Sequence, residues 1–175
     1  MEVSQALGEL FKSHPHKWNN ESYRKAAIDI LVRIGTNMLV KVTDVSWPVC
    51  TAQAIIGLEH YHDTDNIISI FNGRVVSSKW RDLNLSGSSS RRDVLKFFRK
   101  RISCKCLKKM HLEVRKTTPK TGICWACKEE KERVMLSICS RCKIAQYCSR
   151  ECQVAQWPFH EVSCDEYTRI HKDQG

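Results

Sequence analysis

The stretch CWACKEEKERVMLSICSRCKIAQYCSRECQVAQWPFHEVSC, residues 124–164, holds Cys124, Cys127, Cys139, Cys142, Cys148, Cys152, His160 and Cys164. Their order is Cys-x2-Cys, x11, Cys-x2-Cys, x5, Cys-x3-Cys, x7, His-x3-Cys. A segment this short buries too little apolar surface to fold unaided, so thiols and an imidazole at these spacings point to zinc as the staple. Four protein ligands close a tetrahedral structural zinc site, whereas catalytic zinc keeps one position open for water. The octet therefore predicts two zinc ions in two closed sites and no metal catalysis. Each Cys-x2-Cys suits a tight knuckle, while Cys148-x3-Cys152 and His160-x3-Cys164 set two ligands on one helix face. Spacing alone leaves two pairings open, sequential and interleaved, since each gives one all-cysteine site and one with three cysteines and a histidine.

The same stretch resembles a MYND-type zinc finger throughout, including Tyr147 before Cys148, Gln153 after Cys152 and Trp157 before His160. RING fingers close on another Cys-x2-Cys and PHD fingers carry histidine in fifth place, so neither fits a histidine in seventh. The resemblance implies interleaved sites, with Cys124, Cys127, Cys148 and Cys152 on one zinc and Cys139, Cys142, His160 and Cys164 on the other. It also implies a protein-interaction module. Some members of that family, co-repressors among them, bind short proline-rich peptides with PxLxP-like motifs, and the peptide-contacting positions correspond here to Ser140, Gln153 and Trp157. A competing role for Trp157 is to plug the gap between the zinc sites. Pro158 departs from the family pattern and predicts a helix ending near Gln156 and another starting at Pro158.

MYND fingers also occur within SET-domain lysine methyltransferases. This chain shows neither the glycine-rich cofactor strand nor the Asn-His pair of that fold, and has little room for it after Cys164. The expectation is a nonenzymatic adaptor, acting on a protein partner and placed in transcriptional regulation.

The N-terminus, MEVSQALGEL, carries Glu2 and Glu9 and lacks the apolar core of a secretory signal. No run approaches the roughly 20 apolar residues of a membrane span. A disulfide framework would need an oxidising compartment, so the expected setting is intracellular, nuclear or cytoplasmic, with reduced thiols.

The remaining chain reads as mainly α, a helical N-terminal region joined to a cross-braced finger with little regular β structure. Residues 1–20 are expected to be flexible, 21–90 helical, 91–120 a basic amphipathic helix or connector, 121–165 the finger and 166–175 a tail. From Glu21 to Val42, Ala27, Ile30, Leu31, Ile34, Met38 and Val42 recur at helical spacing, with Gly35 as an interruption. A second helix over Thr51–Tyr61, with Ala54, Ile55, Leu58 and Tyr61 on one side, is expected to form a hairpin with the first. Ile67, Ile68, Ile70 and Phe71 read as a short strand or helix, Asn72-Gly73 as a turn, and residues 86–90 as a joint. Glu59, His60, His62, Asp63 and Asp65 resemble ligands only because polar residues gather at a helix end.

Residues 91–120 concentrate the basic charge: their Lys and Arg exceed Asp93 and Glu113 by as much as the whole chain's formal +10. Val94, Phe98, Ile102, Cys106, Met110 and Val114 recur every four residues, which predicts an amphipathic helix with a break near Ser103. Its lysines are simply solvated, or its basic face, Arg91, Arg92 and Arg99 to Arg101 included, serves nuclear import, an anionic membrane, calmodulin or nucleic-acid phosphates. Nucleic-acid association through this segment is the alternative to the adaptor reading. Cys104 and Cys106 diverge if both lie on a helix, which argues against a third metal site.

Overall fold

The computed structural model describes residues 9, 13, 15–59, 88 and 90–173. The chain is mainly helical. In order, the elements are α1 (Pro15–Trp18), α2 (Glu21–Lys41), α3 (Ser46–Glu59), α4 (Ser90–Arg99), α5 (Lys105–Thr117), β1 (Thr121–Ile123), β2 (Glu130–Glu132), a 3-10 turn (Arg133–Met135), β3 (Ser137–Ile138), β4 (Gln146–Tyr147) and α6 (Arg150–Asp173). The expectations for residues 60–87, including Tyr61, His60, His62, Asp63, Asp65 and the Asn72-Gly73 turn, lie outside the described residues.

Helix α2 starts at Asn20, whose side-chain oxygen accepts from the Tyr23 N–H at 3.1 Å and satisfies one of the four orphan donors of a helix N-terminus. Within the stretch expected to be flexible, residues 15–18 form a helical turn and Trp18 is buried beside Ala54 and Leu58. Helix α3 begins at Ser46, earlier than expected. Pro48 is tolerated inside its first turn, where the missing N–H would have no intrahelical partner anyway. Helices α2 and α3 pack against each other as the expected hairpin.

The buried face of α2 overlaps the expected stripe only in part: Ala27 and Leu31 pack against the core as expected. Val32, Gly35, Thr36 and Leu39 face the core, while Ile30, Ile34 and Val42 are exposed. The reason is Gly35: a Cβ there would lie 2.2 Å from Cζ of Phe98, so α4 docks where glycine leaves the helix surface flat. A periodicity count weighted by hydrophobicity scores glycine as an interruption and so places the centre of the buried face to one side of where it lies.

The basic segment is two helices, with the chain breaking over 100–104 as expected. Val94, Leu95, Phe97 and Phe98 of α4 and Leu107 of α5 join Val32, Leu39, Ala52, Ile55 and Ile56 in one core. Cys106, expected on the apolar stripe, is exposed. Cys104 is the N-cap of α5 with extended backbone (φ −128°, ψ 122°), so its sulfur does not diverge from that of Cys106, and the two form a disulfide. This pair departs from the expectation of reduced thiols, which the cysteines of residues 124–164 meet. Among the described residues no helix is long and apolar enough to cross a membrane.

The region expected to be a C-terminal tail continues α6 to Asp173, and Tyr167 within it is buried in the finger. Nor does α6 break at Pro158. It runs unbroken from Arg150, forgoing one backbone hydrogen bond to the Val154 carbonyl. Cys152 on one side of the proline and His160 and Cys164 on the other belong to two separate ligand clusters, and these anchors keep the helix continuous through the defect.

Candidate metal centre

Two antiparallel ribbons carry the finger. In the first, β1 pairs with β2 with Gly122 opposite Lys131; in the second, β3 pairs with β4 with Ile138 opposite Gln146. In each ribbon the connection between the two strands is a knuckle, and both knuckles are built the same way. The Lys128 N–H donates to the Cys124 carbonyl at 3.0 Å, and the Lys143 N–H donates to the Cys139 carbonyl, also at 3.0 Å. Both lysines adopt the left-handed region, with φ 63° and 58°, which turns the chain sharply after the second cysteine of each pair. The knuckles are tied together through β4, because the Trp125 N–H donates to the Gln146 carbonyl and the Cys139 N–H to the Ala145 carbonyl, each at 2.9 Å. A Cβ on Gly122 would come within 2.8 Å of both the Gln146 amide and Leu136, so the ribbons approach closely at the finger floor.

Cys148 follows β4, and Cys152, His160 and Cys164 project from α6. The eight ligand atoms gather as two tetrads: Cys124, Cys127, Cys148 and Cys152 in one, Cys139, Cys142, His160 and Cys164 in the other, each within 4.8 Å of one another. The interleaved arrangement is therefore the one the fold adopts. Neighbouring sulfurs lie 3.7 Å apart (Cys127 to Cys148), 3.5 Å (Cys148 to Cys152) and 3.9 Å (Cys139 to Cys164), and Cys142 Sγ is 3.6 Å from His160 Nε2. A tetrahedron with Zn–S bonds near 2.3 Å has edges of about 3.8 Å, so these are the separations two zinc ions require.

The thiols crowd together in a way that calls for a cation. Burial pushes the Cys124 thiol up, but the backbone N–H groups of Cys148, Cys127 and Ala126 outweigh it, bringing the group to about 6. Cys148, in contact with the sulfurs of Cys152, Cys127 and Cys124, is pushed up to about 12. In the second tetrad, burial and then Cys142 and Cys139 push Cys164 up to about 12, while Cys139 is lowered despite its burial by the Cys142 and Arg141 N–H groups. One thiol in each set ionises readily and another resists. A divalent metal removes that conflict by neutralising the mutual repulsion. Burial lowers the His160 pKa as well and keeps the ring neutral, its ligand form.

The His160 ring is held by three aromatic edges: Trp125 at 5.7 Å, Trp157 at 5.9 Å and Tyr147 at 6.1 Å between centroids. Its Nδ1 is buried with no hydrogen-bond partner, so orientation comes from ring packing and not from a carboxylate. Ligand spacing gave no sign of this cage.

Of the positions expected to meet a peptide, Ser140 is exposed and Gln153 and Trp157 are half-buried, four apart on α6. Trp157 packs on the finger core beside the ligand His160 while keeping an accessible side. Val154, Phe159 and Val162 on the same helix are also exposed, and spacing did not single them out.

Several arginines of the basic segment are engaged within the fold. Arg101 pairs with Glu59 at 2.8 Å and lies over the Phe97 ring, Arg91 donates to the Thr43 carbonyl at 2.9 Å, and Arg92 to that of Thr118 at 2.8 Å. The Arg99-Lys100-Arg101 run is therefore not a continuous free cationic strip, which weakens the nucleic-acid alternative.

The MYND finger family model matches residues 124–164. The chain is 50% identical over 44 residues to the SET domain and MYND-type zinc finger protein 6 of Schizosaccharomyces pombe, a match covering 25% of this chain and 9% of that protein. It is 46% identical over 43 residues to N-lysine methyltransferase SMYD2-A of Danio rerio, covering 25% and 9%. Against histone-lysine N-methyltransferase SMYD3 of Mus musculus it is 45% identical over 42 residues, covering 24% and 9%. The likeness thus spans about a tenth of these relatives' length. No solved structure matches the chain. Residues 124–164 are a MYND-type zinc finger, generally a protein-interaction module, whose tetrads fit two zinc ions.

Proposed function

We propose that this MYND finger is the working surface of an adaptor that captures a short, proline-rich partner segment through Ser140, Gln153 and Trp157, in the intracellular setting of transcriptional regulation. The observation that carries the reading is the anchoring of α6. Its Cys152 belongs to one tetrad and its His160 and Cys164 to the other, so Gln153 and Trp157 lie on a stretch of helix anchored by ligands on either side. Both tetrads are complete in protein ligands, leaving no open position at which zinc would activate water. In this reading the finger acts by presentation, and its zinc ions take no part in catalysis.

A proline-rich segment loses little entropy on binding and favours an aromatic surface, which the accessible side of Trp157 provides; the Gln153 amide supplies hydrogen bonds to its backbone. Val154, 63% exposed and next to Gln153 on the helix, extends that surface with an apolar contact. The experiment is fluorescence anisotropy with a labelled PxLxP peptide and a version with its leucine replaced. Binding should require the leucine and fall at least tenfold in Gln153→Ala and Trp157→Ala at unchanged zinc content. Equal binding by wild type and both variants refutes the surface.

A further inference from the structure

Helices α4 and α5 pack side by side, and one edge of that pair collects cations. Arg92, Lys96 and Arg99 are spaced four and three residues apart, which sets them along one face of α4 over roughly 10 Å. His111 and Arg115 are spaced by four on α5. His111 is 3% exposed, and its Nε2 has no hydrogen-bond partner. The Arg99 Nε is likewise buried without one. Arg92 is held in place by its bond to the Thr118 carbonyl at 2.8 Å. Among the described residues, none of these side chains forms an ion pair with a carboxylate.

Buried polar nitrogens without partners, here the Arg99 Nε donor and the His111 Nε2, are uncommon in folded proteins and call for an explanation such as a ligand. We propose that Arg92, Lys96, Arg99, His111 and Arg115 form a binding site for a compact, soluble anion carrying adjacent phosphate groups. Guanidinium groups match phosphate oxygens in a two-pronged geometry, and the stem of Arg99 and the ring of His111 are already desolvated, so little ordering is required on binding. Burial, and then the charges of Arg99, Arg115, Arg92 and Lys96, hold the His111 ring neutral, and an anion at this edge offsets those charges. The half-buried setting suits a small polyphosphate better than a duplex, whose backbone needs an extended exposed ridge. The site is separate from the zinc finger and does not depend on its role.

Calorimetric titration of the full, zinc-loaded chain with inorganic pyrophosphate, in a chloride buffer, tests the proposal. Saturable binding near one per chain is expected, weakened at least tenfold by Arg99→Gln and by Arg115→Gln, and unchanged in Lys109→Gln on another face of α5. Arg115 is exposed, so its replacement leaves folding intact even if Arg99→Gln does not. The His111 ring resonances should move on addition of pyrophosphate. An absence of saturable binding overturns the site, as does an equal loss in Lys109→Gln, which would mean diffuse charge attraction. A 20-base-pair duplex that binds with the same Arg99 and Arg115 dependence and is not displaced by pyrophosphate would assign the face to nucleic acid instead.

Discussion

The ring of Phe98 occupies the space that a side chain at Gly35 would fill, with Cζ lying 2.2 Å from where a Cβ would stand. The α2–α4 contact depends on this absence. Gly35→Ala gains roughly 1 kcal/mol of helix propensity but forces the ring or the helix aside, and overpacking costs about 1–3 kcal/mol, more for a clash this close. A net loss of about 1–2 kcal/mol is expected. A lower denaturation midpoint in urea at unchanged slope checks it, and a raised midpoint contradicts the packing.

The interleaving of the tetrads makes the zinc stoichiometry of double variants informative. Cys124→Ser with Cys148→Ser removes two ligands from one tetrad, so the chain should retain about one zinc. Cys124→Ser with Cys139→Ser removes one ligand from each and should lower both occupancies. Sequential pairing predicts the reverse pattern, and metal analysis after dialysis distinguishes them.

Chelation of zinc should unfold residues 124–164, since a structural site supplies most of the folding energy of so small a unit. The α2–α5 core has its own apolar cluster and should survive. Loss of near-ultraviolet signal from Trp125 and Trp157, with most helical signal retained, is the expected spectrum. A spectrum indifferent to chelator would remove zinc as the staple.

Pro158 lies inside a continuous helix, where proline costs up to about 3 kcal/mol relative to alanine. Pro158→Ala should therefore stabilise the finger by about 1–3 kcal/mol, read as slower zinc release to a chelator. Faster release would show that the proline shapes the helix in a way the ligands need.

His111 titrates at about 4 instead of 6.5, chiefly through burial and then through Arg99, Arg115, Arg92 and Lys96. The native ring binds a proton less readily than the unfolded one, so its contribution to stability is complete above about 6.5 and is lost as pH falls through 4. At roughly 1.4 kcal/mol per pH unit, the effect is on the order of 3 kcal/mol. Replacement by Gln should reduce the loss of stability between pH 7 and pH 4.5 relative to wild type, in phosphate-free buffer. An equal loss in both proteins contradicts the buried neutral ring.

The sequence by itself determined the ligand set, its count and the helical character of the N-terminal region, because ligand spacing and apolar recurrence are local properties. It also located the break in the basic segment. The MYND resemblance carried the interleaved pairing, which spacing alone left open.

Tertiary structure decided the rest. The face of α2 that turns inward depends on Phe98, a residue far along the chain that needs Gly35 to be small. Cys104 and Cys106 meet because the first of them caps a helix instead of lying within it. Helix α6 passes through Pro158 because ligands on either side belong to different tetrads, and local propensity counts a missing hydrogen bond but not the anchors that offset it. The cationic edge of α4 and α5 is likewise a product of packing. Arg99 and His111 are ordinary members of a basic run until two packed helices bury polar nitrogens of both without partners.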